Sequence, residues 1–139
     1  MSWASSYIGT PYADRGRGPA YDCWGLVWAV YRDVFGIGIP SYGDDYPASI
    51  AGADIQTLID RECLAWREQP LAQTGPLPAY AEGDVVILRM LGKRMHCGLC
   101  LADGRFLHVM VGCRAVIERL DSPLWRKRIA GVYRHEALA

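Results

Sequence analysis

The sequence predicts an α+β domain in which one amphipathic helix packs on an antiparallel sheet. Three observations predict it. Apolar residues follow a helical period from about Cys23 to Phe35. After Glu82 the pattern changes to short β-branched and aromatic runs separated by turn residues. Between these regions the only linker-like stretch, Gln69 to Pro78, is too short to separate domains, so one domain is expected over residues 1–139. A chain of 139 residues can bury a real core, and a hydrophobic content of 51% with five Trp and eight Tyr excludes a disordered one. Lys plus Arg equal Asp plus Glu at 15 each, which argues against nucleic acid as a partner. No apolar run approaches a membrane span.

In chain order, Ser2 to Ile8 reads as a short helix stopped by Gly9-Thr10-Pro11-Tyr12, because proline disfavours helical backbone in the residue before it. Asp14 to Ala20 is an irregular loop, either a substrate-facing rim or a plain connector. The main helix starts within Tyr21-Asp22-Cys23-Trp24-Gly25-Leu26-Val27. Leu26, Val27, Val30 and Val34 fall on the face of Cys23, and Asp22 is suited to cap the helix start. Gly36 to Pro40 ends it. Ser41 to Ser49 reads as a surface loop, with Asp44 and Asp45 in a solvated turn. A second helix is expected over Asp54 to Cys63 and a short strand over Trp66 to Glu68. Gly83-Asp84 turns into the strand Val85-Val86-Ile87-Leu88. His96 to Leu101 and Phe106 to Val111 form a hairpin around Asp103-Gly104. Ala115 to Glu118 and Gly131 to Arg134 complete the strands. Trp125 to Ile129, with Arg126, Lys127 and Arg128, reads as a solvated edge.

Chemistry concentrates at Cys23. Partial positive charge at a helix N-terminus favours thiolate, so a cysteine in the first turn is a candidate nucleophile; the alternative is a structural core cysteine. Five cysteines without a secretory leader do not read as a disulfide framework. Cys97 and Cys100 have ligand spacing but no second pair, so neither a metal nor another cofactor is expected. His135 is expected to dangle near the end. His96 and His108 lie on the two hairpin arms, and their relation depends on register. A two-residue turn pairs Leu99 with His108 and sends His96 to the opposite face. A three-residue turn, Ala102-Asp103-Gly104, pairs Gly98 with His108 and sets the histidines one diagonal step apart, about 7–8 Å between backbones. Turn preference permits either. Only the second builds a pair, with Cys23 as nucleophile, His96 as base and His108 as orienter, provided that the helix start packs on the histidine face.

Gly9-Thr10-Pro11-Tyr12, Tyr21 to Val27, Gly83-Asp84-Val85-Val86 and His96-Cys97-Gly98-Leu99 through Phe106-Leu107-His108, in this order and spacing, resemble the NlpC-type cell-wall cysteine peptidases. The stretch Trp125 to Arg134 is similar to the branch found with phage tails and gene transfer agents. The resemblance implies a papain-like α+β fold and hydrolysis of amide bonds in peptidoglycan stem peptides, commonly between D-γ-glutamate and a diamino acid. It implies catalytic roles for Cys23, His96 and His108, and places Tyr12 and Asp22 near the substrate. Trp24 departs from the small serine common in relatives; it either lines a substrate subsite or packs. Tail proteins of the particle are implied as partners. The expectation for location is a chain made in the cytoplasm without a signal peptide, since residues 1–6 have no basic or apolar leader pattern, and carried in a particle to the cell wall. Two other functions fit the same residues: a thioester-forming acyltransferase or amidase, and a non-catalytic tail-tip or wall-binding module.

Overall fold

The structure, a computed structural model, describes residues 3–41, 65–72, 74–90 and 93–138. The helix expected over 54–63 and all but the first residue of the loop expected over 41–49 lie outside these.

Helix α1 (Cys23–Val30) starts where expected. The Asp22 carboxylate accepts the Gly25 N–H at 2.6 Å, supplying the side-chain cap. A π-helical turn, Tyr31–Phe35, continues α1, and Gly36 ends it in the left-handed region at φ 69°. The first segment is a single 3₁₀ stretch, Trp3–Tyr7.

Among the described residues the sheet has six antiparallel strands: β1 (Trp66–Glu68), β2 (Val85–Met90), β3 (Lys93–Cys100), β4 (Arg105–His108), β5 (Val116–Arg119) and β6 (Ile129–His135). Their spatial order is β1-β6-β2-β3-β4-β5. Leu99 pairs with Leu107 and Cys100 with Phe106, which is the three-residue register. Asp103 and Gly104 take positive φ, 73° and 79°, to close that turn.

Strand alternation divides the interior. Val85, Ile87, Cys97, Leu99, Leu107 and Val109 join α1 in one cluster. Val86, Leu88, Cys100, Phe106 and Val132 join Trp125 in another. Helix α1 therefore docks on the face of Cys97 and Leu99, not on the histidine face where it was expected. The physical reason is competition for the two faces. The apolar stripe of α1 meets an unbroken apolar set, while the histidine face is taken by Trp125 on a short helix α2 (Pro123–Arg126) capped by the Ser122 hydroxyl. The segment read as a solvated edge is thus anchored by a buried tryptophan.

His135 does not dangle either. It packs edge-on against Trp66, with ring centroids 4.9 Å apart, and its Nδ1 accepts the Ala137 N–H. The Gly-Asp turn before β2 is equally fixed. Asp84, fully buried, accepts two bonds from Arg134 at 2.8 and 2.9 Å and one from the Ala81 N–H.

Candidate active site

Cys23 is the first residue of α1 and is 2% exposed. The loop before it is clamped onto the helix. Arg17 donates to the Gly16 carbonyl, to Ser41 and, at 3.0 Å, to Asp22. A side chain at Gly25 would run into the Gly16 carbonyl oxygen, so the first turn must be glycine for loop and helix to meet. The N-terminal Gly9 to Tyr12 segment is a backbone tie: Gly9 and Tyr12 N–H groups reach the Ala115 and Cys113 carbonyls, and the Tyr21 N–H reaches Pro11.

Of the residues expected near substrate, Tyr12 stays close to Cys23 and half-buried. Its hydroxyl donates to Asp14 at 3.0 Å, and burial pushes its phenol pKa up. Asp22 is 2% exposed and committed to the cap and to Arg17. Trp24 is 1% exposed, its indole N–H donating to the Pro40 carbonyl at 2.9 Å and its ring edge-on to Trp66. Trp24 therefore packs, one of the two roles expected of it, and Asp22 caps α1 beside Cys23.

The Cys23 thiol interacts with that of Cys97, whose pKa is pushed well up, mainly by burial and then by its hydrogen bond with Cys23. Cys97 is therefore held as neutral thiol. Cys97 and Cys100 lie in different clusters on opposite faces of β3, so they do not converge as a ligand pair.

Across the sheet, His96 and His108 do converge. His96 Nε2 and His108 Nδ1 are 2.8 Å apart, and His108 Nε2 lies 2.6 Å from Glu118 Oε2. Gly98 makes room between the rings: a Cβ there would come within 2.9 Å of Phe106 and 3.1 Å of the His108 Cβ. Phe106 stacks on His108 at 4.4 Å, and Trp125 covers His108 edge-on at 4.9 Å. Burial pushes the His96 pKa down to about 3, with His108 adding to the effect. Burial also lowers that of His108, against the pull of Glu118.

The structure therefore assembles two halves. Cys23, Asp22 and Tyr12 are grouped at the start of α1. His96, His108 and Glu118 are grouped on the other face. Among the described residues no hydrogen bond joins Cys23 to either histidine. The halves adjoin through the backbone, since His96 precedes the Cys97 that meets the Cys23 thiol. Sequence reasoning missed Glu118. Its signal was available: pairing of Phe106 with Glu118 and His108 with Val116 puts Glu118 on the histidine face, a diagonal step from His108. A separate groove of about 410 Å³, lined by residues including Tyr80, Arg89, Arg126 and Lys127, contains none of these residues.

The NlpC/P60 family profile matches residues 9–134, from the backbone tie through β6. The chain belongs to the NlpC/P60 family. It is 26% identical to a gamma-DL-glutamyl hydrolase of Bacillus subtilis, over 97% of this chain and 28% of that protein. It is 21% identical to the murein DD-endopeptidase MepS/murein LD-carboxypeptidase of Escherichia coli, over 77% of this chain and 45% of that one. It is 30% identical to tail tip assembly protein K of Escherichia phage N15, over 66% and 36%. The chain thus spans less than half the length of these relatives. A lipoprotein-like NLP/P60 protein of Staphylococcus aureus superposes with a TM-score of 0.62 at 25% identity, covering 95% of this chain and 38% of that chain. The NlpC/p60 domain of the peptidoglycan hydrolase SagA gives 0.59 at 20% identity, covering 94% and 92%, and shows the fold. Among the described residues, no helix is long and apolar enough to cross a membrane.

Proposed function

We propose that this NlpC/P60 chain is a cysteine peptidase that hydrolyses amide bonds in peptidoglycan stem peptides, at the D-γ-glutamyl–diamino acid bond. Cys23 is the nucleophile and His96 the base. The observation that carries the reading is the setting of Cys23: first residue of a helix, behind a clamped and capped loop, in a chain of this family. The backbone N–H of Cys23, at the helix start, serves the oxyanion of the tetrahedral intermediate. Similarity to the phage N15 tail tip protein supports a place for the enzyme in a phage tail or gene transfer agent, opening the wall during entry.

The base assignment makes a structural demand. The His96 ring must come within hydrogen-bond reach of the Cys23 thiol while keeping its 2.8 Å bond to His108. The test is digestion of purified peptidoglycan sacculi by wild type, Cys23→Ser and His96→Ala, read by mass spectrometry. New stem-peptide fragments from wild type alone support the reading and name the bond. Fragments from wild type and His96→Ala alike would remove the base assignment and make the separation of the two halves functional. Fragments from Cys23→Ser would remove the nucleophile.

A further inference from the structure

The histidine pair ends on a carboxylate that the proposed chemistry has not used. Glu118 lies on β5, two strands from His96, with its side chain 37% exposed. Its Oε2 is 2.6 Å from His108 Nε2. An ionised carboxylate only accepts hydrogen bonds, so the proton of that bond sits on His108 Nε2. A neutral imidazole carries one N–H, so His108 Nδ1 has only a lone pair. The 2.8 Å bond to His96 Nε2 then requires His96 to donate, and places its single proton on Nε2. What remains on His96 is an unprotonated Nδ1. Each step follows from the one before, and the first is fixed by Glu118.

We propose that Glu118 is a positioning residue that sets the tautomer of both histidines and so selects Nδ1 of His96 as the nitrogen that takes the thiol proton. This rests on the proposed role of His96, but the tautomer order itself does not. Without Glu118, either proton arrangement of the His96–His108 bond has the same count of donors and acceptors. One of them puts the proton on Nδ1 of His96 and removes the base. The groups facing His108 are Glu118 from β5 and His96 from β3, with Phe106 and Trp125 as uncharged walls. Of these groups, Glu118 is the one carboxylate, and it meets His108 Nε2 as an acceptor. His96 is buried and neutral, so it follows the order and does not set it.

The experiment is ¹⁵N NMR of the imidazole rings in histidine-labelled full chain at pH 7, for wild type, Glu118→Gln and Glu118→Ala. Wild type should show both His96 and His108 protonated at Nε2. In Glu118→Gln, whose amide both donates and accepts, the His96 signals should move toward a mixture of tautomers. The rate of sacculus digestion should fall on the order of 10-fold or more in kcat with KM unchanged. A merely structural role for Glu118 would lower stability and leave the tautomers in place. An Nδ1–H tautomer of His96 in wild type, or imidazole signals unmoved in both variants, would overturn the proposal. Failure of the peptidase reading is separate, because it appears in the Cys23→Ser digest while the tautomers of wild type stay as stated.

Discussion

Replacing Asp22 tests how the start of α1 is held. The carboxylate caps Gly25 at 2.6 Å and meets Arg17 at 3.0 Å, with side-chain exposures of 2% and 16%. Losing the cap costs about 1 kcal/mol. Breaking a fully buried ion pair costs about 3–5 kcal/mol. Here Arg17 keeps its bonds to Gly16 and Ser41, so the ionic part is smaller, about 1–2 kcal/mol. Asp22→Ala should therefore lose about 2–3 kcal/mol, which moves a urea midpoint down by about 1–1.5 M at a slope of about 2 kcal/mol/M. Asn caps as well as Asp, so Asp22→Asn should lose only the ionic part. Paired urea unfolding curves measure both. Equal losses in the two variants would show that the cap contributes nothing. A shift in Asp22→Ala too small to resolve would refute the claim that this carboxylate holds the helix start.

Other consequences are equally direct. Trp24→Phe removes the N–H to Pro40 and should cost about 1 kcal/mol, while Trp24→Ala empties a packed site and should cost about 3–5 kcal/mol. Because Trp24 is buried, KM for sacculi should stay constant in Trp24→Phe; a raised KM at unchanged stability would return the residue to the substrate. The pH dependence of stability follows from the histidines. His96 has a pKa of about 3 when folded against 6.5 for the free group, so between these values the unfolded chain binds the extra proton. That contribution is complete above about pH 6.5 and is lost as pH falls toward 3; His108 and His135, also lowered, act in the same direction. Urea midpoints at pH 7, 5 and 4 should decline, and less steeply in His96→Gln. A flat profile over that range would contradict burial of His96 as neutral imidazole.

Much of this was legible in the sequence, for identifiable reasons. The period of Leu26, Val27 and Val30 and the capping chemistry of Asp22 placed α1 to the residue at its start. Gly104 permitted the three-residue turn, and parity then brought His96 to His108. What parity could not say is which face receives the helix. Val85 to Leu88 is buried at every position, so β2 is apolar on both sides and carries no alternation to choose between them. The deciding residue was Trp125, hidden among Arg126, Lys127 and Arg128, whose burial fills the histidine face. His135 was misread for a similar reason. Its partner Trp66 lies on a strand far away in sequence, and only β1–β6 pairing brings them together.

The strand order has a consequence for how the chain acquires its structure during synthesis. β2, β3, β4 and β5 are neighbours in sequence as in space, so each can pair as it leaves the ribosome. β6 is different. It is the last strand to be made, yet it sits between β1, made first, and β2. Until Ile129–His135 has emerged, β1 lacks its neighbour among the described strands and one edge of β2 is an open template for other chains. Completion of the sheet, and of the Arg134 clasp on Asp84, is therefore a single late event. A nascent chain stopped before β6 would carry both the helix and the histidine pair and still lack the strand that joins the first part of the sheet to the rest.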